Sequence, residues 1–485
     1  MVRTGWLVPI FQPEQARITP LIPAKGSKKP KTPLPKLQIG ILITLQLAEP
    51  IASTSIFPYI NQLIRELDIT GGDDAAVGYY AGLIESLFFV GQALTVLRWA
   101  RLSDRIGRKP VLVIGLSGIC ISMLCFGLST TFWGLVVSRC MCGFLNGNNV
   151  VMKTMMGELT DSTNMAQGFA LIPIIWCVGG FVGPLMGGTL ARPQDHWPAL
   201  FSGSFWRDYP YFLPCAVAAF LLLVALVMMT LFLEETLSTK RRPKFPSTTV
   251  GVSSSPDRES LAQQSMANMS LRSLLTRSVV IPIANYAMLS FLDVSFRVLL
   301  PLFFSTPTYL GGLGFDPATI GKWMALCGVT DGIFQAFFFA KIVDWIGPKR
   351  LFCISASCYA PLIAIFPIMS WILRVRGEVD HAITFALLCH LVIVVAWDMS
   401  YGTIFLIITA SAPTKNVLGA INGLGQTSAA VARAVGPALT TSLFAVSKEH
   451  NLLGGNAVFV ILIVLAGGFR WLASQLPDEI QDRDE

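Results

Sequence analysis

Ala100-Arg101-Leu102-Ser103-Asp104-Arg105-Ile106-Gly107-Arg108-Lys109 stands between two long apolar runs. Its Asp-x-Ile-Gly core returns in the second half of the chain as Val343-Asp344-Trp345-Ile346-Gly347-Pro348-Lys349-Arg350. Three further pairs stand at nearly the same offset: Glu49 with Asp293, Glu85 with Asp331, and Gly183-Pro184 with Gly436-Pro437. Four correspondences in register describe an internal duplication, two repeats joined in the middle.

Working outward, the flanking sequence explains what is repeated. The chain has 485 residues, 53% hydrophobic and 13% charged, whereas a soluble domain carries about 25% charged residues. The apolar residues gather into runs of about 20, the length of helix that crosses a hydrocarbon core of ~30 Å. Twelve spans are expected, near 37–60, 78–97, 110–128, 132–152, 168–191, 211–233, 279–304, 320–340, 351–373, 382–410, 417–446 and 457–473. The reading is an all-α integral membrane protein with two pseudo-symmetric six-helix bundles, 37–233 and 277–476. They are joined by a polar linker, 234–276, and flanked by tails 1–36 and 477–485. The first 36 residues are rich in Pro and Lys and lack the apolar stretch of a secretory signal, so the first span is expected to direct its own insertion.

Lys and Arg orient the spans. With the N-terminus in the cytosol, the opposite side receives only Arg65, Arg192, Arg207, Arg374, Arg376 and Lys448 of the chain's 36 basic residues, apart from those inside the spans. Both termini are therefore expected to be cytosolic. The linker joins the basic run Lys240-Arg241-Arg242 to a Ser-rich stretch, which suits a solvated tether. The sequon Asn268-Met269-Ser270 falls on the cytosolic side and is expected to stay unglycosylated. The net charge of +7 lies in these loops and tails and gives no reason to expect nucleic acid. Ten Cys without a CxxC pair and four scattered His indicate neither a disulfide framework nor a metal site, and no cofactor is expected.

On these residues the chain resembles the major facilitator superfamily. The loop stretch matches that family's Gly-x-Leu-x-Asp-Arg-x-Gly-Arg-Lys signature except at Ala100. Leu135-Val136-Val137-Ser138-Arg139 followed by Gly143 resembles its helix 4 arginine motif. Gly179-Gly180-Phe181-Val182-Gly183-Pro184-Leu185-Met186-Gly187-Gly188 resembles the helix 5 motif of the twelve-helix drug:proton antiporter branch. Leu233-Glu234-Glu235-Thr236-Leu237 is similar to a segment of the zinc-induced-facilitator-like group. Ser238 stands where that group has histidine, and its cysteine motif is absent, so zinc handling is not implied.

The chemistry follows from charges placed where they are costly. Ionisable residues inside a span should face the bundle interior and find partners. Asp293 and Arg297 are four apart on one helical face, which suits a structural ion pair. Glu49, Glu85 and Arg139 are the proton-coupling candidates: a buried carboxylate beside an arginine that can leave is a workable proton carrier, and the resemblance places Glu49 and Arg139 on cavity-lining helices. Asp331 and Asp398 leave two readings, contacts to a cationic solute or hydrogen bonds within the second bundle. Gln46, Gln92, Gln335, Trp397 and Tyr401 are further cavity candidates. In the loop motif, Asp104 is expected at a neighbouring helix N-terminus, Arg105 and Arg108 across from acids, and Gly107 in the turn beside Lys109; Asp344, Gly347 and Arg350 are the repeat copy. In span 5, Gly179, Gly183, Pro184, Gly187 and Gly188 are expected to make a kinked, tight seal.

Together these features describe a secondary transporter for a small solute. The resemblance implies a proton-coupled antiporter that exports it, embedded in a plasma or vacuolar membrane. One chain holds every part of a transport cycle, so a monomer is expected. A symporter or passive facilitator on the same fold, and a solute sensor that moves nothing, are the alternatives. No nucleophile motif or P-loop supports an enzyme or a primary pump.

Overall fold

The computed structural model describes residues 33, 35–160, 171–237, 276–411 and 418–477. The linker's basic run and sequon, and nearly all of both tails, lie outside the described residues. Every regular element within them is helical. The first six membrane helices are α1 (Lys36–Thr54), α2 (Val77–Ile106), α3 (Arg108–Gly127), α4 in two segments (Phe132–Leu145 and Asn148–Leu159), α5 (Leu171–Leu190) and α6 (Phe212–Phe232). The second six are α7 (Arg277–Ser305), α8 (Pro317–Ile346), α9 (Pro348–Arg376), α10 (His381–Ser411), α11 (Leu418–Glu449) and α12 (Ala457–Ser474). Ten of them are, among the described residues, long and apolar enough to cross a bilayer. The interrupted α4 and the shorter apolar stretch Ile174–Leu190 of α5 complete the twelve.

Local sequence sets where the helices end. α2 runs past its expected end at 97 to Ile106 and stops at Gly107, whose φ of 108° and ψ of 160° leave the helical region. α8 runs past 340 to Ile346 and stops at Gly347 with φ 86° and ψ 149°. A positive φ costs glycine little, and the two repeats use the same backbone turn to enter α3 and α9. The first span is shorter than 37–60: α1 ends at Thr54, three residues before Phe57-Pro58, and a separate short helix, Ile60–Glu66, follows.

Within the first bundle α1 packs on α5 and α6, α3 on α6 and on the first segment of α4, and that segment on α2. In the second, α7 packs on α11, and α9 on α10 and α12. Hydrocarbon offers little hydrophobic drive between helices, so close packing has to hold them. An aromatic cluster does this in the second bundle: Phe303 meets Phe366 edge-on at 4.9 Å, and Phe366 stacks on Phe459 at 5.5 Å. Such pairs contribute about 0.5–1.5 kcal/mol each beyond their burial.

The bundles meet along two seams, α5 on α8 and α2 on α11, which the duplication relates to each other. Both seams lie toward the end of the molecule away from the Asp104 loop. There Tyr309 Oη donates to Asp74 Oδ2 at 2.6 Å and Tyr79 Oη to Glu449 Oε2 at 3.2 Å. Nearer the middle the Ala438 N–H donates to Ser86 Oγ at 2.8 Å. The buried residues of α8 end at Ala325, while Phe337 and Trp345 beyond it are exposed. The halves thus form a V, joined at the far end.

Candidate transport site

α4 breaks at Asn146-Gly147, and the break shapes the first half of the site. Glu49, on α1 and only 3% exposed, lies opposite it. One carboxylate oxygen, Oε1, accepts from Asn146 Nδ2 and from Asn149 Nδ2, each at 2.7 Å. The other, Oε2, is buried without a partner, as is Nε2 of buried Gln46 one turn back on α1. The second segment of α4 begins at Asn148, so its positive dipole end lies on the side of the break that carries Asn149. Lys153, on that segment, is within electrostatic range of Glu49 and of Arg433 on α11.

Arg139 lies beside the second of the two carboxylate candidates. Its Nη2 lies 3.3 Å from Glu85 Oε2, not at Glu49, and its guanidinium lies over the rings of Phe126 at 5.3 Å and Phe88 at 5.8 Å. On α4 it stands two turns before the break, on the side of α2 rather than α1. Glu85 and Arg139 therefore form a closed pair inside the first bundle, and Glu49 is held by amides instead.

The second bundle places Arg297 at the hub of a carboxylate cluster. Its Nε donates to Asp293 Oδ1 at 3.0 Å and Oδ2 at 2.9 Å, and its Nη2 reaches Asp398 Oδ1 on α10 at 3.5 Å. Tyr401 Oη donates to Asp293 Oδ2 at 3.0 Å. The Arg297 side chain remains 48% exposed, so the cluster borders open space. Asp331, on α8, accepts from Gln335 Nε2 at 3.4 Å and, across the seam, from Cys177 Sγ on α5 at 3.4 Å. Gln92 is half-buried on α2. Trp397 corrects the expectation of a cavity wall. It is fully buried, packed on Tyr359 at 4.7 Å and Phe469 at 5.9 Å. Successive helical residues point about 100° apart, so Asp398 faces the cluster while Trp397 faces the core.

At the open end the loop motif is tied into its own bundle. Arg108, 7% exposed at its side chain, pairs with Asp104 one turn back, with Glu158 on α4 at 2.9 Å and with Ser103 Oγ at 2.8 Å. Asp104 does not occupy a helix N-terminus, as the sequence suggested; it is 64% exposed. Glu235 does. Its carboxylate accepts the first N–H groups of α3, Arg108 N at 3.0 Å and Lys109 N at 3.1 Å, where the dipole favours an anion. A Cβ on Gly107 would meet that carboxylate at 2.5 Å. Lys109 Nζ in turn caps the end of α6 through the carbonyls of Thr230 at 2.9 Å and Leu233 at 2.8 Å. Arg105, Asp344 and Arg350 are exposed.

α5 carries two stripes of small residues. Gly179, Gly183 and Gly187 face α1 at Pro50, Ile51 and Ser55; Gly180, Pro184 and Gly188 face α8 at Gly328, Gly321 and Pro317. Gly321 Cα lies 3.0 Å from where a Gly188 Cβ would stand. On the other seam the Pro437 carbonyl lies 2.8 Å from where a Gly82 Cβ would stand. Each seam is backbone against backbone, the packing small residues allow.

A family model described as Major Facilitator Superfamily matches residues 42–437. The chain belongs to this superfamily. It is 31% identical to the Major facilitator-type transporter psiT2 of Psilocybe cyanescens over 95% of this chain and 93% of the relative. It is 29% identical to the multidrug transporter mfsB of Aspergillus fumigatus over 86% and 80% of the two chains. Identity is also 29% to ZINC INDUCED FACILITATOR-LIKE 1 of Arabidopsis thaliana, over 88% of each. The solved human organic anion transporter MFSD10 superposes with a TM-score of 0.62 over 91% of this chain and 100% of that one, at 19% identity, a likeness of fold. The protein is a multi-pass membrane transporter of the superfamily.

Several residues of this superfamily member were not singled out from sequence. Lys153 reads as a loop lysine just past a span ending at 152, yet it lies inside α4, which continues to Leu159. Asn146 and Asn149 had a legible signal: Asn146-Gly147-Asn148-Asn149 puts three amides and a glycine inside an apolar run. Glu158 had none, and Glu235 was legible only as part of the segment 233–237 and not as a cap, since their roles depend on Arg108 and on the start of α3 meeting them from distant parts of the chain.

Proposed function

We propose that this protein is a proton-coupled antiporter that exports a small organic solute by alternating access. The observation that carries the reading is Glu49: a carboxylate buried in the second half of α1, held through one oxygen by two amides, with the other oxygen free for a proton. A proton on Oε2 leaves Lys153 facing a neutral group, and its loss restores an anion opposite the start of the α4 segment. That change alters the charge balance of the cleft between Lys153 and Arg433 on opposite halves. Solute is taken to bind in the same cleft, beside the Arg297 cluster and Asp331. The name of the multidrug transporter mfsB supports a small organic solute as the cargo.

In this reading both termini, the tails 1–36 and 477–485 and the linker 234–276 are cytosolic, the V opens toward the cytosol, and one chain works alone in a plasma or vacuolar membrane. The test is flux in proteoliposomes under an imposed pH gradient, with a panel of small organic solutes, for wild type and Glu49→Gln. Gradient-driven flux that Glu49→Gln loses, while solute exchange survives, is the expected result. Flux indifferent to the gradient in both proteins replaces the antiporter with a facilitator, and binding without flux replaces it with a sensor.

A further inference from the structure

The break in α4 poses a problem that Trp99 solves. Breaking a helix frees carbonyls of the preceding turn, and each of them needs a new partner. Two are taken locally: Gly143 O accepts the Asn146 N–H at 3.2 Å and Leu145 O accepts the Gly147 N–H at 2.9 Å. The carbonyl between them, Phe144 O, is taken from another helix: Trp99 Nε1, on α2, donates to it at 2.7 Å. The indole also fills the space beside Gly147, so that a Cβ on Gly147 would run into the Trp99 ring. Asn146 and Asn149, the donors to Glu49, stand on either side of that point.

We infer that Trp99 is a positioning residue for the coupling carboxylate: its indole N–H and ring hold the α4 break in the one geometry that aims Asn146 and Asn149 at Glu49. This rests on the reading of Glu49 as the proton carrier. It also gives α2 a route to that carboxylate, because Trp99 lies little more than one turn before Asp104. A movement of the open end of α2 draws the indole from Phe144 O and loosens both amide donors.

The experiment needs no solute. Purified protein is titrated by infrared difference spectroscopy, following the carboxylic-acid band that Glu49→Gln removes. Trp99→Phe keeps a ring and loses the donor, Gly147→Ala pushes the ring away while leaving Trp99 in place, and Trp99→His restores a ring N–H. Donors to a carboxylate favour its ionised form. Both disruptive variants are therefore expected to move the band's midpoint up by about one pH unit, the scale of one charge-assisted hydrogen bond, and Trp99→His to recover part of the shift. A lowered melting temperature with an unmoved midpoint in Trp99→Phe and Gly147→Ala overturns the inference and leaves Trp99 a packing residue. Loss of gradient coupling in Glu49→Gln alongside such unmoved midpoints overturns it while sparing the antiporter. Coupled flux that survives Glu49→Gln removes Glu49 as the proton carrier and overturns the inference with it, while the antiporter stands on another carboxylate.

Discussion

Replacing Gly328 by alanine should open the seam between the halves. A Cβ there would stand 2.7 Å from the Gly180 carbonyl carbon and 2.7 Å from the Phe181 nitrogen. Carbon contacts are optimal at about 3.5–4.0 Å, so the helices must part by most of an ångström. The obstacle is backbone on both sides, and no side chain can turn away. Overpacking of this kind costs about 1–3 kcal/mol, here only in the state whose far end is closed. The balance of access states then moves about 5- to 150-fold toward separation. Spin labels on Leu200→Cys and His450→Cys, exposed residues at the far end of opposite halves, placed in a background without native cysteines, report the separation by pulsed dipolar spectroscopy. Gly332→Ala is a graded control, because its Cβ would meet only the Cβ of residue 177, at 3.0 Å, an atom that Cys177→Ala keeps, and Gly423→Ala a neutral one with nothing within 4 Å. An unchanged distance distribution in Gly328→Ala, at wild-type melting temperature, refutes the claim that backbone contact at this point sets the closed state.

Further outcomes are expected elsewhere. Glu235→Ala removes the anion at the start of α3 and should cost about 1–2 kcal/mol, seen as a fall of about 1–2 °C in the melting temperature of detergent-solubilised protein; no fall would mean that the cap is idle. Trp397→Ala should cost about 3–5 kcal/mol as a core deletion, measurable in the same assay, and a near-neutral result would return Trp397 to the cavity wall. Tyr401→Phe removes one donor to Asp293 and should leave melting nearly unchanged while altering solute affinity in direct binding measurements; unaltered affinity would take Tyr401 out of the site. Burial pushes the Asp316 carboxyl up, but hydrogen bonds from Thr319 and Ala318 at the start of α8 outweigh it and hold the group below its ordinary value. A depressed carboxyl stabilises above its unfolded value, so the melting advantage of wild type over Asp316→Ala should stand at neutral pH and shrink as pH falls below about 4. An advantage that stays constant down to low pH counts against this cap.

Sequence carried the architecture because its signals are one-dimensional. Run length sets the spans, and a repeated Asp-x-Ile-Gly marks the same turn at Gly107 and Gly347 in both halves. The α5 motif was legible for the same reason: residues four apart share a face, so the order of small residues already contains two stripes. The partners were not legible, because they depend on which faces meet. Arg139 is held by Glu85 since α4 turns that face to α2, and Glu235 takes the helix start expected for Asp104 since the chain after α6 folds back under α3. Lys153 was misplaced because hydropathy ends a span at the first charge, whereas the helix continues to Leu159. The break at Gly147 has no proline to announce it, and only its crowd of amides marks it.

The two faces of α5 bear on how fast such a machine can move. Where interlocking side chains hold an interface, parting it requires each to find a new rotamer, and the barrier grows with every one. Here glycine meets glycine and carbonyl meets Cα along much of the joint, so there are few rotamers to reset. In the proposed cycle the α5–α8 joint would serve as a plain bearing: firm under compression, able to slide, and damaged by the addition of a single methyl group. The first bundle, laced at its open end by Arg108, Lys109 and Glu235, would then turn on it as one piece.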